Sequence, residues 1–268
     1  MKSNKKSSKG LKGVFSAALI PVAFIISVLV YKFVLGDGAN FIGGNNANLP
    51  LPGNYYGVVY KGGIIVPIII TLLLTVLAVS VERFLAINKA SGKGKVVDFM
   101  SAINSQLDNG KIEDAKASCD KQKGSVANVI YSGLSKYQDM EKEKTLPKDQ
   151  KVVAIQKEIE ESTSLELPAL EQNLVILSTI SSVATLFGLL GTVIGMIKAF
   201  SAMSTAGAPD SVALATGISE ALINTALGIG TSALAIVMYN VFTTKIDKIT
   251  YSIDEAGFTI VNTFAAKN

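Results

Sequence analysis

Glu220 stands almost alone. From Leu174 to Thr244 the chain carries three charges, Lys198, Asp210 and Glu220. Glu220 lies inside the apolar run GISEALINTALGIG. A carboxylate at membrane depth costs about 2.5–3.5 kcal/mol on insertion scales, so it is rarely idle and faces a bundle interior or a water path. On a helix of about 100° per residue, Ala213, Thr216, Asn224 and Thr231 fall within about 40° of Glu220. Leu227 interrupts that face and confines its polar part to Thr216–Asn224. Thr225 lies about 140° away, so Thr225 and Glu220 cannot both point at one axis on a straight helix. A second run, LFGLLGTVIGMIKAF, carries a complementary pattern. Ser178, Ser181, Thr185, Gly188 and Gly195 all fall within about 60° of Thr192. A stripe of hydroxyls and glycines can line a water path, and it can equally well pack one helix closely on another. Two facing stripes around one acid point to proton handling within a membrane.

No histidine is present, which removes the usual neutral-pH proton shuttle, the commonest metal ligand and any Ser-His or Cys-His pair. Cys119 is the one cysteine, so neither an internal disulfide nor a cysteine metal site can form. Proton work must therefore use carboxylates, hydroxyls and water. With no nucleophile–base pair or metal cluster, the chain is not expected to be an enzyme, and no cofactor is expected beyond protons as a coupling ion. The bases are interleaved with acids and lack a stacking platform, so no nucleic-acid partner is expected.

The elements that must position these residues read as all-α and polytopic. Apolar residues make up 49% of the chain and charged residues 17%, below the roughly 25% charged of a soluble domain. Four runs reach the roughly 20 apolar residues that a span needs: 14–35, 62–82, 174–200 and 212–242. The first follows five lysines, a pattern shared with signal peptides, but no small-residue cleavage site follows and the run is long, so a retained anchor is expected. Lysine and arginine bias puts the basic N-terminus, 1–13, in the cytoplasm. Residues 36–61 and 201–211 then lie outside, and 83–173 and the tail, 243–268, lie inside. The internal region balances fourteen bases against fifteen acids across 82–173. It reads as two short amphipathic helices joined at Asn109-Gly110, then a helix starting near Pro147 that runs into the third span, with Pro168 expected to kink it or mark a change of hydrogen bonding.

LFGLLGTVIGMIKAF followed by GISEALINTALGIGTSALAIVMYN resembles the pore hairpin of the ExbB/TolQ/MotA proton-channel family, most closely its ExbB/TolQ branch. The resemblance covers about residues 62–245, and VERFLAI at the end of the second span fits the family's first core helix. It implies a homopentamer around a central pore, with the long helices extending into a cytoplasmic helical domain. It also implies a dimer of an ExbD/TolR-like single-pass partner that brings an aspartate into the pore, and a TonB-like protein that receives the work, in a bacterial inner membrane. Thr192, Glu220 and Thr225 match the family's pore positions, with Thr185, Ser181 and Asn224 beside them on the path. Tyr239-Asn240 matches its helix-end motif. Thr185 and Leu234 stand where the family often has proline, so straighter helices are implied. A TolQ-like envelope role, a motility stator and a non-conducting scaffold whose stripes only pack are the alternatives. The first span and its Asn/Gly-rich loop are additional to the three-helix core.

Overall fold

A computed structural model of the chain describes residues 18–205 and 211–267. The expected basic N-terminus, residues 14–17 of the first span and residues 206–210 of the short connection lie outside the described residues. Those described are helical apart from short connections, with a single isolated antiparallel bridge, Phe41 to Pro50. Among the described residues the helices run in order: α1 (Ala18–Leu35), α2 (Tyr55–Lys61), α3 (Ile65–Ser91), α4 (Val96–Asp108), α5 (Ile112–Gln122), α6 (Gly124–Lys142), α7 (Lys148–Glu171), α8 (Leu174–Thr205) and α9 (Ser211–Lys267), with two short 3-10 turns, Gly38–Asn40 and Ile42–Gly44, between α1 and α2. Four segments are long and apolar enough to cross a membrane, held in α1, α3, the α7–α8 stretch and α9. The chain is a multi-pass membrane protein. It divides into two compact units, one of residues 1–80 and 175–239, the other of residues 81–174 and 240–268.

In the first unit, α1 meets α3 through small residues. Ala23 and Ser27 are buried. Ser27 Oγ lies 2.8 Å from Thr71 Oγ1. Small side chains let backbones approach where lipid offers no hydrophobic drive. The last six residues of α1, Val30–Leu35, widen into a π turn. Asn40 closes that end, donating from Nδ2 to the carbonyls of Val34 at 2.8 Å and Leu35 at 3.1 Å. Its Oδ1 accepts from Asn54 Nδ2 at 3.0 Å. Asn54 in turn caps α2 through the Gly57 amide. Removing those three bonds with Asn40→Ala should loosen the α1–α3 connection by about 3 kcal/mol, at roughly 1 kcal/mol per bond. Amide exchange of residues 36–62 should then quicken more than tenfold while α8 and α9 stay protected; unchanged exchange would show that Asn40 does not hold the connection.

α8 and α9 pack on glycine and alanine. A Cβ built on Gly228 would stand 2.5 Å from the Ala184 carbonyl oxygen and 2.8 Å from Gly188 Cα. One on Gly195 would stand 2.6 Å from Ala221 Cβ, and one on Gly217 2.7 Å from Ala199 Cβ. Both helices run without a break and contain no proline, in keeping with the straighter hairpin implied by Thr185 and Leu234.

In the second unit, α4 and α5 join at Asn109-Gly110, where Gly110 has φ 69°, a conformation that glycine takes at little cost. Lys267 Nζ donates to the Leu107 carbonyl at 2.8 Å, covering the end of α4. Ile103, Leu134, Ile155, Ile260 and Phe264 fill the core, and Tyr137 sets its ring edge to Phe264 at 4.9 Å. The sequence leads one to expect α7 to flow directly into the third span with a kink at Pro168. Instead α7 passes Pro168 and ends at Glu171, and the chain breaks at Gln172–Asn173, where Asn173 takes φ 65°. Arg83 marks the reason: its Nη1 donates to the carbonyls of Ala169 at 3.3 Å and Leu170 at 3.2 Å, groups left open at a helix end. Asn173 is itself among the few residue types that enter the left-handed region readily.

Candidate functional site

The α8–α9 hairpin settles which stripe residues face each other. The seam runs through Ala184, Gly188, Gly191, Gly195 and Ala199 on α8, against Gly217, Ala221, Asn224 and Gly228 on α9. Its centre on α8 lies about 60° round from Thr192, and on α9 about 70° round from Glu220. Gly188 and Gly195 thus belong to the packing seam, whereas Thr192 and Glu220 sit at its margins, both half-buried.

Each residue singled out from the sequence has a definite place. Thr192 donates its hydroxyl back to the Leu189 carbonyl at 2.6 Å and lines an open concavity with Val193, Met196, Ile197 and Phe200. Thr225 faces α8, donating to the Gly188 carbonyl at 3.0 Å. Ser181 donates to the Ser178 carbonyl, while its own carbonyl accepts from Ser232. Thr185 is half-buried on α8. Asn224 is 2% exposed and donates from Nδ2 to the Gly62 carbonyl at 2.9 Å. That bond ties α9, one turn beyond Glu220, to the turn between α2 and α3. Thr225, Asn224, Ser181 and Thr192 therefore all spend polar atoms on partners within the subunit, and Asn224 lies one turn from Glu220 on the same face. Tyr239 and Asn240 lie inside α9, which continues to Lys267. They do not end a helix here, because the residues that follow keep an apolar repeat (Phe242, Ile246, Ile249, Ile253) that is buried.

Glu220 has neighbours that its own helix does not reveal. The cations acting on its carboxyl are Lys61, at the end of α2, and Lys198, on α8. Tyr31 of α1 also feels the Glu220 charge, and Tyr31 stacks on Tyr60 at 4.6 Å between ring centres and donates to the Tyr60 carbonyl at 3.0 Å. Lys198 Nζ lies beside Gly63. Lys61, Lys198 and Tyr31 were not legible as site residues, since Lys61 and Tyr31 read only as flanks of spans. The one available signal was that Lys198 and Glu220 are two of three charges in an apolar stretch.

Among the described residues no group of three or more His, Cys, Asp or Glu could hold a metal. Cys119 is buried. Burial first, and Asp120 second, push its thiol up to about 12, so it stays protonated and packs as a small apolar group rather than acting as a nucleophile.

Residues 121–255, half of the chain, match the sequence profile of the MotA/TolQ/ExbB proton channel family. That span holds Thr192, Glu220 and Thr225 and leaves α1–α3 outside it. The chain is similar to a putative biopolymer transport protein ExbB-like 3 of Synechocystis, 37% identical over 86 residues, which is 31% of this chain and 41% of that one. It is similar to the Tol-Pal system protein TolQ of Pseudomonas aeruginosa, 26% identical over 179 residues, covering 65% of this chain and 78% of that one. To the biopolymer transport protein ExbB of Pseudomonas putida it is 41% identical over 71 residues, 26% of this chain and 22% of that one. The match thus spans less than half the length of the Synechocystis and P. putida relatives. With the profile covering half of the chain, including all of α8 and the part of α9 that carries Glu220, the chain belongs to the MotA/TolQ/ExbB proton channel family.

Proposed function

We propose that this chain is the channel subunit of a proton-driven motor in a bacterial inner membrane, with both termini cytoplasmic. Five copies surround a pore, an ExbD/TolR-like dimer supplies an aspartate within it, and a TonB-like protein receives the work. Protons are the coupling ion, and each charge that crosses gains about 2.3 kcal/mol per 100 mV. The observation that carries this reading is Glu220: among the described residues the one acid of the apolar stretch 174–244, at the margin of a tightly packed hairpin inside the family segment. Thr192 sits at the opposite margin of the seam, on α8. Thr225, Asn224, Thr185 and Ser181 serve the path by fixing the two helices rather than by facing the acid.

The test is Glu220→Gln in proteoliposomes holding the chain with its single-pass partner. Partner-dependent proton flux should fall by about tenfold or more, the effect of one removed proton-transfer group being at least about 10²-fold when it is obligatory. Recovery of the complex should be unchanged. Flux that persists at normal protein levels would sink the channel role for Glu220. Loss of complex together with flux would favour a second reading, a scaffold whose polar stripes only pack, which the internal bonding of Thr225 and Asn224 supports. Whether the work serves outer-membrane transport or a TolQ-like envelope role is a further choice. The longer alignment with TolQ than with the P. putida ExbB favours keeping the latter open, and the phenotype of a deletion decides it.

A further inference from the structure

The connection between α1 and α3 is folded, and its two sides differ. The inner side is closed: Phe41 is 2% exposed, Gly57 approaches the Asn40 carbonyl too closely for any Cβ, and Tyr60 stacks on Tyr31. The outer side presents Tyr55 (81% exposed), Tyr56 (58%), Ile42, Leu49, Leu51 and Ile64. Residues 36–61 hold two charges, Asp37 and Lys61. Lys61 is turned onto the Ala47 carbonyl at 3.0 Å and lies over the Phe41 ring. The exposed side is thus almost uncharged, whereas a water-facing surface carries roughly 25–35% charged residues.

Topology narrows what can cover it. Both ends of the connection enter segments long and apolar enough to cross the bilayer, α1 and α3, so both are tethered at the same membrane face. The adjoining end of α1 exposes Phe33 (70%) and Val34 (50%), so exposed apolar side chains occur on both the span and the connection it leads into. Tyrosine is enriched where a ring can sit in apolar surroundings while its hydroxyl reaches the headgroups. We infer that the Tyr55–Tyr56 face docks into the lipid headgroup layer of the bilayer that α1 and α3 cross. Interfacial anchors of this kind set the depth and tilt of a span, so the docked face holds α1 in register against α3. This assignment rests on the multi-pass topology and is independent of which ion the family segment moves.

The sequence contains no tryptophan, so Tyr55→Trp and Tyr56→Trp each place a single tryptophan in the full chain, which is excited apart from the tyrosines at the red edge of its absorption. Each variant is reconstituted into phosphatidylcholine–phosphatidylglycerol vesicles containing lipids brominated near the top of the acyl chain or carrying a headgroup nitroxide. The expected result is emission to the blue of N-acetyltryptophanamide, strong quenching by both lipids and little by aqueous iodide, with Phe33→Trp as a lipid-exposed reference. Water-like emission with full iodide quenching would overturn the inference. So would blue emission that neither lipid quenches, which would place a protein contact on this face instead. The two tyrosines are scored separately, so a variant that fails to insert leaves the other to decide.

Discussion

Arg83→Ala is expected to lower the thermal midpoint of the purified protein by about 6–12 °C, from a loss of about 3 kcal/mol at roughly 2–4 °C per kcal/mol for a chain of this size. Arg83 is 2% exposed. Its Nε donates to Glu82 Oε2 at 2.6 Å, and its Nη2 pairs with Glu82 Oε1. Its Nη1 takes the Ala169 and Leu170 carbonyls at the close of α7. Glu82 Oε2 also accepts from Asn173 Nδ2 at 3.3 Å, so one carboxylate and one guanidinium together hold the break where α7 stops. Truncating the arginine leaves a half-buried carboxylate unpaired and two helix-end carbonyls open. Glu82 retains some solvent access, with 28% of its side chain exposed, which keeps the loss at the lower end of the roughly 3–5 kcal/mol seen for broken buried pairs. Arg83→Lys should recover part of it: a lysine is a point charge that can reach the carboxylate or the carbonyls but lacks the planar fork for both. Differential scanning of the wild type and both variants in one detergent measures the order. A variant Arg83→Ala that melts with the wild type would show that Glu82 and the carbonyls are satisfied without it.

That joint illustrates which parts of the molecule a linear reading can reach. The four spans were legible because each is a local property, a run of apolar residues longer than the membrane is thick. The Asn109-Gly110 turn was equally local, since glycine takes positive φ freely. The end of α7 was not. Pro168 was the only visible breaker, yet the helix passes it, and the break five residues on depends on Arg83, which lies 86 residues away from Ala169. The site followed the same division. Helical periodicity placed Thr225 away from Glu220, but it could not separate a packing stripe from a pore stripe. Gly188 and Thr192 lie about 40° apart on the same face, and only the crossing point of α9 sends one into the seam and leaves the other at its margin. Lys61 and Tyr31 escaped entirely, because the fold of residues 36–62 that brings them towards Glu220 is built from asparagine side chains bonding to distant carbonyls, a pattern with no period.

Gly228→Ala should be a severely damaging single-methyl substitution in the α8–α9 hairpin, and Gly230→Ala should be nearly silent. A Cβ at Gly228 meets the Ala184 carbonyl oxygen at 2.5 Å and the Gly188 backbone at 2.8 Å, and backbone cannot rotate aside. At Gly188 the nearest atoms stand at 3.1–3.2 Å, so Gly188→Ala asks for a few tenths of an ångström rather than a separation of the helices. At Gly230 nothing lies within 4 Å. Overpacking of this kind costs about 1–3 kcal/mol, while the helix preference for alanine over glycine favours the substituted chain by roughly 0.8–1 kcal/mol wherever space exists. The two terms have opposite signs, and the space around each glycine decides which wins. At Gly228 separation would also lengthen the bond from Thr225 to the Gly188 carbonyl, one turn away, so the hairpin loses packing and its polar tie together. Recovery of folded protein and thermal midpoint, measured for the three variants side by side, should rank Gly230→Ala, Gly188→Ala, Gly228→Ala from mildest to most severe. Because the same seam holds Glu220 and Thr192 at their margins, proton flux per recovered complex should fall in that order too. Equal behaviour of Gly228→Ala and Gly230→Ala would mean that the two helices do not cross at Gly188 and Gly228, and the placement of Glu220 relative to α8 would fall with that crossing.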